Sequence, residues 1–129
     1  MRNFFLLFII ISISGCKKKD DTPPGLQFKT GTGYTYSDLT VSHGSSFVVG
    51  IIANSGASDL QLFYTEVAYD GSNAPKLVSR IWLNASEANH YERDVTVTTR
   101  NQPGTERWVF DVNDADGRIT KKEIRVTVQ

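Results

Sequence analysis

The chain of 129 residues holds a single cysteine, Cys16, and only two histidines, His43 and His90. One thiol leaves no internal disulfide and no thiolate cluster for a metal, so the core alone must stabilise the domain. Neither histidine belongs to an HExxH run or to another zinc-ligand spacing. Also missing are a GxSxG elbow, a Walker lysine and a glycine loop that would cradle phosphate after a strand. Neither sign of charge is in excess: Lys and Arg total 14, Asp and Glu total 14, and the formal net charge is +0. With no basic cluster beyond Lys17 to Lys19 and the Lys121, Lys122 pair, nothing argues for a nucleic-acid partner. No apolar run approaches the roughly twenty residues of a membrane-spanning helix. From Leu26 onward there is no helical period either.

What is present begins at the amino terminus. Arg2 precedes a continuous apolar run from Phe4 to Ile11, followed by a small and polar exit at Ser12, Ser14 and Gly15. That is the pattern of a targeting segment. Ile13, Ser14, Gly15 and Cys16 resemble the lipobox of bacterial lipoproteins. The resemblance implies that residues 1–15 are a signal peptide and that Cys16 carries a diacylglycerol thioether and an amide-linked acyl chain. Several chains at about 0.8 kcal/mol per buried CH₂ would make attachment to the membrane effectively permanent. Lys17, Lys18, Lys19, Asp20 and Asp21 resemble the export signal that Bacteroidota lipoproteins carry after the acylated cysteine. It implies an outer-membrane location facing the cell exterior. With Thr22, Pro23 and Pro24 following, residues 16–25 read as a flexible, solvated tether.

Residues 26–129 are one domain's worth of chain. Phe47, Val49, Ile51 and Ala53 alternate up to an Asn54-Ser55-Gly56 turn cluster. Leu60 to Tyr69 closes at Asp70-Gly71, a pair suited to the positive φ of a tight turn. Leu77, Val78, Ile81, Trp82 and Leu83 suggest a third strand. Tyr91, Arg93, Val95, Val97 and Thr99 alternate in a fourth, and Trp108, Phe110 and Val112 share one face of a fifth. A last strand carries Ile124, Val126 and Val128 inward. With edge strands at Leu26 to Phe28 and Tyr34 to Val41, the count is about seven, which predicts an all-β antiparallel sandwich. Trp108, Phe110, Phe47 and Trp82 are its expected large core residues.

Pro103-Gly104, Trp108 to Asp114, Asp116-Gly117 and Ile124 to Val128 are similar to the closing hairpin of PKD-like and other immunoglobulin-like domains. The resemblance covers the C-terminal quarter and implies an immunoglobulin-like β-sandwich. The chain lacks the Cys, Trp, Cys signature of antibody-type domains and the tryptophan-plus-GDG pattern of the PKD family proper. Fold alone assigns no function, so sites are argued separately.

Asp114, Asp116 and Glu123 fall on positions three, five and twelve of an EF-hand-like loop, yet Val112 replaces its first carboxylate and the flanks alternate as strands. The reading is therefore a polar turn with solvated carboxylates and no metal, and no cofactor is expected. Glu66, Asp70, Glu87, Glu92 and Asp94 are acidic residues on the expected solvated faces of strands or in loops. Tyr34, Tyr36, Tyr69 and Trp82, with Tyr64 and Tyr91, are candidate platforms for sugar rings, because an amphipathic ring has a flat apolar face and a polar edge. The expectation is a lipid-anchored, non-catalytic surface module: an accessory component of an outer-membrane complex, an adhesin or a glycan binder, with a protein or glycan partner. The alternative is a small surface hydrolase or hydrolase inhibitor, which clustering of Glu66, Asp70 or His90 in one concave pocket would favour.

Overall fold

Eight strands and one 3₁₀ turn follow in order in the computed structural model, which describes residues 15–129: β1 Gly25–Phe28, β2 Leu39–Val41, β3 Ser46–Asn54, β4 Leu60–Tyr69, β5 Lys76–Trp82, the turn Ala85–Glu87, β6 His90–Thr98, β7 Gly104–Asp114 and β8 Ile119–Val128. The leader expected at residues 1–15, with its apolar run and Ile13-Ser14, lies outside the described residues except for Gly15. The strands form a three-stranded sheet, β1-β3-β6, and a five-stranded sheet, β2-β8-β7-β4-β5. Because β3 to β4 and β6 to β7 each cross between sheets, neighbours in sequence separate and distant strands pair, as in Greek-key sandwiches.

The expected edge strand from Tyr34 to Val41 is shorter than its composition suggests. Lys29 and Thr35 donate to the Gly50 and Val48 carbonyls at 2.8 Å each, which keeps this chain on the β3 edge as far as Thr35. It then crosses to the other sheet. There Leu39, Thr40 and Val41 align with Val126, Thr127 and Val128 in a parallel pair, the one departure from antiparallel pairing among the described strands.

Alternation decides the core. Val49, Ile51 and Ala53 of β3, Trp108, Phe110 and Val112 of β7, and Ile124, Val126 and Val128 of β8 are buried between the sheets with Phe63, Val67 and Tyr91. Phe28 meets Phe110 edge-on at 5.7 Å. Phe47 is half-buried at the periphery. Trp82 corrects the expected core, being 65% exposed. It pairs with Leu62, one position from the Phe63–Ile81 pair in which Phe63 faces the core, so the pleat turns Trp82 outward.

One end of the sandwich, at the start of β1, carries the connections Ser55 to Asp59, Asn84 to Asn89 and Asp114 to Arg118. The opposite end carries Ser42 to Ser45, Asp70 to Pro75 and Thr99 to Pro103. Asp70 and Gly71 adopt positive φ, 52° and 78°, which closes the β4–β5 connection as its sequence requires. The expected solvated tether ends before Gly25. Pro24 is buried, the Thr22 carbonyl accepts the Ala57 amide at 2.9 Å, and Thr120 Oγ1 donates to the Pro24 carbonyl at 2.6 Å.

Candidate binding site

Outward positions of the five-stranded sheet form ranks across β5, β4, β7 and β8. One rank is Trp82, Leu62, Asn113 and Ile119; the next is Arg80, Tyr64, Asp111 and Lys121. Beyond it come Leu77, Glu66, Val109 and Glu123, and then Ala68, Arg107 and Arg125. Trp82 and Ile119 are exposed at the two ends of the first rank, over a buried Leu62. Asn113 between them has a buried Oδ1 with no hydrogen-bond partner in the protein.

Two shallow depressions lie on this face. One, of about 400 Å³, has Ala68, Thr105, Arg107 and Arg125 as floor and Gly71 to Asn73 as wall. The other, of about 300 Å³, lies over Glu66, Val109, Lys121 and Glu123, with Pro75 at its rim. Arg107 borders both. The Asp70-Gly71 turn builds the wall, because it brings Ser72 to Pro75 back beside the sheet. Charges alternate along the floor: Arg107 reaches Glu123 at 3.2 Å, Arg125 reaches the same carboxylate at 3.2 Å, and Lys121 lies 3.7 Å from Asp111. Glu66 has no ion-pair partner among the described residues. Burial pushes the Asp111 carboxyl above its ordinary range, against the pull of Lys121 and with the help of Glu66. Such a surface offers donors and acceptors side by side, with an aromatic ring at one end.

The expected aromatics are not gathered together. Trp82 and the half-buried Tyr64 share this face. Tyr34 is on the opposite sheet, where its hydroxyl donates to Asp94 at 3.1 Å and Lys29 lies over its ring. Tyr36 is exposed in the crossing loop. Tyr69 packs under the Arg100 guanidinium, 4.2 Å from the ring centre. Tyr91 is in the core.

Nor do the acids and histidines converge. Asp70 accepts two hydrogen bonds from Arg100 and one from the Thr105 amide, and these lower its carboxyl to about 2. His90 touches Asn54 and Glu92 on the smaller sheet, and Lys29 joins Glu92 to Asp94. Glu87 caps the 3₁₀ turn through the Asn84 amide at 2.9 Å. His43 meets Asn101 at 2.8 Å at the far end. Glu66, Asp70 and His90 therefore share no pocket.

The loop tested for calcium has a different construction. Asp114 is buried, not solvated, and accepts the Asp116 and Arg118 amides as well as Arg118 Nε at 2.8 Å. Arg118 also reaches Asp116 at 3.0 Å and Ser58 at 2.9 Å, so a guanidinium stands between the two carboxylates. Glu123 is on the outer sheet face with Arg107. Among the described residues no group of three His, Cys, Asp or Glu is placed to hold a metal. Cys16 is a free, exposed thiol, and Lys17, Lys18, Lys19, Asp20 and Asp21 are exposed beside it.

No protein-family model matches the chain, and no curated protein matches its sequence. Solved structures of similar fold include the following two. A chitin binding domain from Burkholderia pseudomallei has a TM-score of 0.55 at 10% identity, over 73% of this chain and 58% of that one. Spo0M, a sporulation control protein from Bacillus subtilis, has a TM-score of 0.53 at 9% identity, over 83% of this chain and 49% of that one. The chain thus spans between about half and three-fifths of these neighbours' lengths. At such identities the likeness bears on the sandwich alone.

Arg107, Asp111 and Arg125 were not singled out as site residues by sequence reasoning, and Glu123 was considered only as a calcium-loop position. The available signal was charge at outward positions of the two central strands, where an ordinary solvated face carries the same pattern.

Proposed function

We propose that this protein is a lipid-anchored, non-catalytic binding module of the bacterial outer surface, and that the outer face of its larger sheet takes a glycan. The observation that carries the reading is that exposed Trp82 and half-buried Tyr64 share one sheet face with the Lys121–Asp111 pair in the adjoining rank and the Arg107–Glu123 pair beyond it. A sugar ring stacks its apolar face on such an aromatic and offers its hydroxyls to the charged groups beside it. The dispersal of Glu66, Asp70 and His90 supports a binding role over hydrolysis. The chitin binding domain of similar fold makes chitin the first polymer to test.

The test is retention of the detergent-solubilised full-length protein on insoluble chitin, cellulose and peptidoglycan. Trp82→Ala should weaken retention on the preferred polymer at least about tenfold, in line with the loss of a buried aromatic contact. Tyr36→Ala, also exposed but elsewhere, should leave it unchanged. Equal retention of all three proteins, or none on any polymer, would remove the glycan reading. A protein partner is the second reading, favoured by exposed Leu77 and Val78 on the terminal strand β5, whose outer edge is open to strand addition. Recovery of a stoichiometric envelope protein that β5 substitutions release would establish it instead.

A further inference from the structure

Between Cys16 and β1 the chain is fastened to one end of the sandwich. The Thr22 carbonyl accepts the Ala57 amide at 2.9 Å, and the Pro24 carbonyl accepts Thr120 Oγ1 at 2.6 Å. Asp21 lies 3.6 Å from Arg118, the same guanidinium that ties Asp114, Asp116 and Ser58. Asp20 Oδ1 accepts both the amide and the hydroxyl of Thr22, at 3.0 and 2.6 Å, and so turns the chain onto the domain. Gly56 is needed at the crossing, because a Cβ there would overlap the Thr22 and Pro23 carbonyl oxygens. Two turns, Ser55 to Asp59 and Asp114 to Arg118, thus hold a segment that the composition marks as a solvated spacer.

We propose that this docked segment is an orienting standoff: it holds the β3–β4 and β7–β8 turns against the lipid surface and directs the opposite end outward. The inference rests on the lipid attachment at Cys16 put forward above. Only Lys17, Lys18, Lys19 and Asp20 separate Cys16 from the first residue that contacts the sandwich, Asp21, so the free chain reaches at most about 18 Å. β8 alone, ten residues long, extends about 33 Å. The end bearing Ala57 and Asp116 therefore stays beside the headgroups. The depression walled by Gly71 to Asn73 opens at the other end, where a surface polymer is accessible, whereas Trp82, the last residue of β5, lies toward the held end, so a polymer laid along the face reaches it from the open end.

The experiment uses the acylated full-length protein in phosphatidylcholine/phosphatidylglycerol vesicles containing a lipid with a nitroxide on its headgroup. Bimane is attached to one introduced cysteine, Ala85→Cys or Ala115→Cys at the near end, Ala74→Cys or Gln102→Cys at the far end, Cys16 being blocked by its thioether. Near-end labels should be quenched several-fold more than far-end labels, and ten Gly-Ser repeats inserted between Lys19 and Asp20 should erase the difference. Equal quenching at both ends without the insertion overturns the proposal. Hydrogen exchange of the Ala57 amide in a full-length Cys16→Ala chain reads the fastening without any lipid. Protection there is expected, and rapid exchange overturns the standoff on its own. Absence of acyl chains on the unmodified protein, with Ala57 still protected, would instead show that the anchor is wrong and overturn the orientation through it.

Discussion

Asp114 and Asp116 are two positions apart in one turn and differ in energetic weight. Asp114 is 1% exposed and accepts three hydrogen bonds, two of them from Arg118. Asp116 has a half-exposed side chain that shares Arg118 and Ser58. Removing a buried partner leaves a charge uncompensated, so Asp114→Asn should cost about 3 kcal/mol, reduced from the fully buried case because Arg118 is partly solvated. Asp116→Asn should cost much less, as the loss of an exposed pair does. Urea titrations of the two variants decide the matter, and equal losses would refute the assigned difference. The sequence shows an acidic turn but not which acid is buried. That depends on Arg118 folding back and on Ser58, which a turn from far earlier in the chain supplies.

Strands β5 and β7 show what alternation reveals and where it stops. In β7, Trp108, Phe110 and Val112 occupy every second position, and the structure buries all three. In β5 the apolar residues come as neighbours, Leu77 with Val78 and Ile81 with Trp82, so period two assigns no face. The pairing with β4 adds a register shift beside Thr65 and Glu66, which changes the parity along the strand. The two tryptophans therefore play opposite roles. Trp108→Ala should cost about 3 to 5 kcal/mol, because it opens a cavity beside Phe110 in the core. Trp82→Ala should change stability by no more than about 0.5 kcal/mol. Denaturation of both variants, set beside their polymer retention, separates core from platform. A large stability loss at Trp82 would argue that its ring packs, and that reduced retention reflects unfolding.

At the scale of the whole molecule, the sandwich was legible because its turn clusters and period-two segments recur at regular spacing, whereas the binding face was not. Glu66, Arg107, Asp111 and Glu123 come from three strands, and only the β4-β7-β8 pairing makes them neighbours. The docked standoff was hidden for the same reason, since prolines and charges read as solvent-loving until Ala57 and Thr120 supply partners. The stretch Cys16 to Asp21, which overlaps the standoff at Asp20 and Asp21, bears on the protein's address. Cys16→Ala should abolish metabolic labelling by radioactive palmitate, whereas alanines at Lys17 to Asp21 should preserve labelling but trap the protein inside. Protease is a poor reporter of that change, because a closely paired sandwich presents few extended loops. Lys76 and Lys121 are exposed on the domain, so a membrane-impermeant amine-reactive biotin is the better probe. Intact cells should biotinylate the unmodified protein and spare the alanine variant, while lysed cells should label both. Biotinylation of the variant on intact cells would show that the lysine and aspartate run does not direct export, and that the domain reaches the surface by another determinant.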